Sequence, residues 1–135
     1  MDDCNEPLPL QAQEGLRLFN EGQYFEAHEA LELAWRAETH PIRDLYRGIL
    51  QAAVVYLHMR RGNFNGAVKV GERCMRILNS LPASCRGVRV DILRADLARA
   101  LDAWQTLGLH RIREMDWSLL KPVDWDKSGL EASPR

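Results

Sequence analysis

FNEGQYFEAHEALELAW, residues 19–35, contains a helix end, a turn and the start of a new helix. Gly22 supplies the backbone freedom that a tight reversal needs, and Tyr24 begins a run of helix-compatible residues. The same pattern returns further on. Gly22-Gln23-Tyr24-Phe25-Glu26-Ala27 and Gly62-Asn63-Phe64-Asn65-Gly66-Ala67 both read Gly, amide, aromatic, two residues, Ala. This resembles the turn inside tetratricopeptide hairpins, where glycine opens the reversal and alanine lets two helices approach. Two hairpins fall short of the three or more repeats that a solenoid needs. A compact array is therefore expected.

Around these turns, helical periodicity recurs and strand signals are nearly absent. The punctuation predicts helices over 9–21, 24–39, 42–60, 64–80 and 88–107. The first of them places Leu10 or Ala12, Leu16 and Phe19 on one face. His40-Pro41 closes the second helix, Asn63 is a good N-cap for the fourth, and Gly108 stops the fifth. The expectation is an all-α fold: a compact five-helix array of two hairpins plus a fifth helix, residues 1–108 forming a single domain. A tail over 109–135 is expected to dock in part by Trp117 and Trp125 and to fray at its last residues.

A hydrophobic content of 46% against 27% charged residues excludes a disordered chain. The acidic start, MDDCNEPLPL, has no apolar core and so does not read as a secretory signal. The most apolar stretch, Ile49 to Leu57, is too short to span a bilayer. Cys4, Cys74 and Cys85 are odd in number and far apart, which predicts reduced thiols and a cytoplasmic protein. Residues 1–40 carry a charge balance of −7 and residues 41–100 one of +7. The acidic and basic helices are expected to neutralise one another. Without an interleaved Arg/aromatic ribbon, nucleic acid is not the expected partner.

The polar residues of the second and third helices are the unusual ones. His28, Glu32 and Trp35 form His-x3-Glu-x2-Trp, with the imidazole and carboxylate on one side of a helix. A helical wheel sets His28 and Glu32 between apolar neighbours, and a buried carboxylate needs a partner. On the third helix, Arg47, Gln51 and His58 make one polar stripe on an otherwise apolar cylinder. An antiparallel hairpin predicts Glu32 against Arg47 and His28 against Gln51. Three readings stay open. One is a buried network that sets helix register. The second is a ligand pocket lined by His28, Glu32, Trp35, Arg47, Gln51 and His58. The third is a divalent metal held by His28, Glu29 or Glu32, and His58, whose imidazole and carboxylate donors suit such ions.

FNEGQYFEAHEALELAW, YRGILQAAVVYLH and RRGNFNGA together resemble the bacterial and archaeal domain-of-unknown-function family 309. The resemblance covers about residues 10–107, and His28, Glu32 and Trp35 match the family's His-x3-Glu-x2-(Trp/Tyr) motif. It implies an all-helical array and a suggestion of metal binding, with no established activity. Two functional expectations follow: a ligand- or metal-dependent site, or a non-catalytic module that holds a peptide or a second copy of itself.

Overall fold

The computed structural model describes residues 2–127. Five α-helices carry the fold: α1 (Leu10–Asn20), α2 (Tyr24–Ala37), α3 (Arg43–Arg60), α4 (Phe64–Asn79) and α5 (Val90–Leu107). Short 3-10 turns lie at Asp2–Asn5, Leu109–Glu114 and Trp117–Leu119. The all-α expectation holds.

The two glycine turns are built alike. Gly22 and Gly62 adopt φ of +80° and +71°. At the first turn Gln23 N–H donates to Leu18 O and Gly22 N–H to Phe19 O; at the second, Asn63 donates to His58 O and Gly62 to Met59 O. This double bond pattern is the Schellman motif, which satisfies the last carbonyls of a helix and reverses the chain. It folds α1 back on α2 and α3 back on α4. Tyr24 then packs edge-to-face with Phe19 and Tyr56, ring centroids 5.4 and 5.5 Å away, tying the first turn to α3.

Small residues set how closely the helices approach. A methyl group on Gly15 would fall 2.5 Å from Leu31 Cγ, and one on Gly48 would fall 2.9 Å from Leu78 Cδ2. The buried side of α1 is Ala12, Gly15, Leu16 and Phe19, whereas Leu10 is 74% exposed. α3 buries Leu45, Ile49, Ala52, Ala53, Val55, Tyr56 and Met59 between its neighbours, and α5 closes the core with Leu93, Leu97 and Trp104.

Two features depart from the sequence expectation. Residues 84–89 are not simple loop and helix start: Ser84–Cys85 pairs antiparallel with Val88–Arg89. Arg86 and Gly87 form its two-residue turn, with φ of +51° and +82°. Asn-Gly or Asp-Gly is the usual signal for such a turn. Arg86 takes the strained position because its guanidinium donates to Asp3 O and to Tyr46 Oη, both at 2.7 Å.

The second departure concerns the cysteines. Cys4 and Cys85 are joined in a disulfide with Cα atoms 4.4 Å apart, so the expectation of three reduced thiols is corrected. Sequence spacing could not show this, because the pair is 81 residues apart and meets only when Arg86 N–H reaches Cys4 O. Closing so long a loop contributes about 4 to 5 kcal/mol in the chain-entropy account. Cys74 is the free thiol, and burial pushes its pKa up to about 12, which makes it inert.

The tail docks. Asn20 exchanges two hydrogen bonds with the Val123 backbone, Val88 bridges to Trp125, and Trp117 and Trp125 pack on the core. The expected fraying of the last residues falls outside the described residues.

The matched turns generate a test. Asn63 caps α4 by accepting from Gly66 N–H at 2.9 Å, while Gln23, at closely similar backbone angles, makes no side-chain cap to α2. Gln23→Asn should therefore stabilise by about 0.5 to 1 kcal/mol and Asn63→Gln should cost a similar amount. Chemical denaturation midpoints check both; a neutral pair of substitutions would show the caps to be irrelevant.

Candidate functional site

The motif helix does not bury its polar pair. Tyr24, Ala27, Leu31 and Ala34 form the buried side of α2, which rotates the packed arc by about 60° away from His28 and Glu32. Phe25, which lies beyond Glu32 on the same helical wheel, is 46% exposed. The His28 and Glu32 side chains are 29% and 34% exposed at the margin, with Nε2 3.7 Å from Oε1. Glu32 also pairs with Arg36 at 2.9 Å. This is an i, i+4 ladder along one helix, the geometry in which such pairs form most readily. Glu32 therefore meets Arg36 and not Arg47, which is exposed, and His28 makes no bond to Gln51. No charged residue is fully buried among those described.

The polar stripe on α3 has an equally plain cause. The buried residues of α3 cover only about half its circumference, and Arg47, Gln51 and His58 lie on the opposite half. His58 is occupied at the α3–α4 turn. Asn63 Oδ1 takes the Gly66 N–H, so its Nδ2 faces His58 Nδ1 at 3.1 Å and must donate. His58 is thereby held neutral with its Nδ1 as acceptor, and burial together with the Arg61 charge lowers its pKa below 6.5.

The expected metal set is accordingly divided. His28 and Glu32 are neighbours, Glu29 is exposed, and His58 belongs to the α3–α4 turn. No three His, Cys, Asp or Glu side chains come together to hold an ion among the described residues. Arg36 further occupies the Glu32 carboxylate with a fixed positive charge. These residues do not fit a metal centre built from this chain alone.

What the seam between α2 and α3 does contain was not read from sequence. Arg43, at the start of α3, stacks over half-buried Trp35 with its guanidinium carbon 4.4 Å from the ring centroid. Its Nε is buried without a hydrogen-bond partner, and so is Oε1 of Gln51, two turns along the same face of α3. Arg43, Arg47 and Gln51 follow at i, i+4 and i+8, beside a margin of α2 that carries Trp35, Glu32 and His28. The spacing of Arg43 from Arg47 was a usable signal, since it extends the polar stripe by one turn. The stack on Trp35 was not legible, because it crosses the Glu38–Ile42 connection.

The charge asymmetry also resolves differently from the expectation. Acids of α1 and α2 pair within their own helices, Glu14 and Glu21 with Arg17 and Glu32 with Arg36. Among the described residues, Arg86–Glu6 is the ion pair that links distant parts of the chain. Basic groups after residue 41 are mostly left uncompensated by the acidic helices.

Comparison with known proteins agrees with the motif reading. The family described as "Domain of unknown function (DUF309)" matches residues 12–70, which take in most of α1, all of α2 and α3 and the first turns of α4. The match is shorter than the resemblance drawn from the motifs, and α5 and the tail lie beyond it. The chain is also similar to an uncharacterized protein of Aquifex aeolicus (strain VF5), 29% identical over 84 residues. That stretch is 62% of this chain and 25% of the relative, so the chain spans about a quarter of the protein it matches.

Two outcomes are expected. Glu32→Ala should cost less than about 1 kcal/mol and Arg47→Met should be near neutral, because both side chains face solvent. A loss of several kcal/mol in denaturant midpoints for either would restore the buried pair. For His58 the neutral form is favoured by folding, so its contribution is full above pH 6.5 and declines as pH falls through the lowered folded pKa. His58→Gln should flatten that part of the melting temperature profile; an unchanged acid slope would exclude His58 as its source.

Proposed function

We propose that this protein is a binding module whose recognition site is the α2–α3 seam, and that the ligand is a small polar molecule carrying an acidic group. The observation that carries this reading is the pair of unpartnered buried atoms, Arg43 Nε and Gln51 Oε1, on one face of α3. A buried donor or acceptor without a partner costs about 1 to 3 kcal/mol, and more for a charged group. A ligand acceptor on Arg43 and a ligand donor on Gln51 would remove that cost. Trp35 offers a flat wall beside them, and exposed Arg47 lies one turn from Arg43 to share the negative charge. His28 and Glu32 rim the seam with an imidazole and a carboxylate, one-third exposed and accessible to the same ligand.

The partial exposure of His28 and Glu32 argues against the sealed network considered from sequence. The repeated Gly-amide-aromatic turn, similar to that inside tetratricopeptide hairpins, supports a binding role. A divalent ion is not the proposed occupant, because Arg36 holds Glu32 and a third donor is missing among the described residues. For the compartment, the supporting fact is narrow: no described helix is long and apolar enough to cross a membrane. The disulfide removes the free-thiol argument for a cytoplasmic location.

Thermal melts and calorimetric titrations with glycolate, malate and citrate, acids whose hydroxyl can donate to Gln51, test the reading at constant ionic strength. At least one acid should raise the melting temperature, and Arg43→Gln or Trp35→Leu should abolish the rise while leaving a folded protein. No rise with any acid would overturn the proposal. So would a rise with Zn, Mn or Ni chloride alone that His28→Gln and Glu32→Gln remove, which would reinstate metal.

A further inference from the structure

A second cleft, of about 410 Å³, lies at the far end of α3. Arg60 and Arg61 line it from the α3 terminus, and His110 and Arg113 line it from the turn at Leu109–Glu114, with Trp117 as an aromatic wall. No acidic residue contributes to its lining. Arg60 lies over Trp117, guanidinium carbon 4.8 Å from the ring centroid. Arg61, His110 and Arg113 have no ion partner among the described residues, and the acid of that turn, Glu114, is taken by Arg111 at 2.9 Å.

Helix-end chemistry does not account for this arrangement. Arginines at a helix C-terminus complement its dipole. Here Arg61 N–H, Gly62 N–H and Asn63 N–H already satisfy Leu57, Met59 and His58 carbonyls, so the side chains are not needed as caps. Arg113 and His110 arrive from a separate segment some 50 residues later in the chain and have no such role. Positive groups that gather without an acid repel one another, which is a standing cost that a bound anion would remove.

We propose that this cleft binds a small ligand bearing a diphosphate or comparable multiply charged phosphate group. Three guanidinium groups carry more charge than one carboxylate neutralises, and their planar forks match phosphate oxygens. The volume is that of a small-molecule site. A nucleic-acid track is not favoured, since Glu114 and Asp116 follow directly and interrupt the basic surface. The site is distinct from the α2–α3 seam, so each proposal can fail alone.

The probe is sodium pyrophosphate, titrated calorimetrically into the full chain at constant ionic strength. Parallel arms use sodium sulfate and a single-stranded oligothymidylate. Pyrophosphate should bind more tightly than sulfate. Arg61→Gln and Arg113→Gln should each weaken it about tenfold, and the double replacement about a hundredfold. Arg17→Gln, on an arginine paired within α1, should leave binding unchanged, and circular dichroism confirms that every variant is folded. Absence of pyrophosphate binding overturns the proposal. So does binding that the double replacement leaves intact. An oligothymidylate that binds more tightly than pyrophosphate through the same two arginines, with a steep salt dependence, overturns it in favour of a nucleic-acid surface.

Discussion

Burial of one side of α3 against α2 and α4 is the constraint from which the remaining architecture follows. Leu45, Ile49, Ala52, Val55, Tyr56 and Met59 leave water together, and each is within 1% of complete burial. A helix with half its circumference packed must show the other half to the surface. That outer half carries Arg43, Arg47, Gln51 and His58, which is why polar chemistry collects along α3. The core therefore positions the candidate site by exclusion. Gly48, which admits Leu78, keeps α4 close enough to seal the packed side.

The same economy shapes α2. Its packed side is built from small residues, Ala27 and Ala34, with Leu31 fitted against Gly15. Close approach leaves the longer side chains, His28, Glu32 and Trp35, at the border of the interface. There they keep partial contact with water, which is where long polar side chains are least costly. Arg43 then covers Trp35 from the next helix. The motif residues are thus held in register by packing they do not themselves perform.

The amino-terminal turn, the 84–89 hairpin and the tail act as one strap around this bundle. Cys4–Cys85, the Arg86 bonds to Asp3 and Tyr46, the Val88–Trp125 bridge and the Asn20–Val123 pair all lie on it. The tail of the strap also supplies His110, Arg113 and Trp117 to the second cleft, and Arg86 is where the strap's strain concentrates. A residue in the left-handed region is tolerated because the amino-terminal turn and α3 hold its backbone and side chain in place.

Sequence alone determined the helices, the two glycine turns and the family motif, because these depend on local rules. Glycine at Gly22 and Gly62, the cap at Asn63 and the stop at Gly108 act on neighbours a few residues away. The seam between α2 and α3 was legible as a location for the same reason, since i, i+4 spacing identifies which residues share a helix face. Helical spacing does not say which way that face points. Spacing alone suggests that the stripe of Arg47, Gln51 and His58 faces inward, whereas the packed arc was set by small residues and glycine clearances on other helices. Only the tertiary structure decided that Glu32 meets Arg36, that Arg43 covers Trp35 and that Cys4 reaches Cys85. The last two depend on where separate segments come to rest, and contacts of that kind form only when the whole core closes. The Glu32–Arg36 spacing was visible, but whether Arg36 or Arg47 won depended on how α2 was rotated.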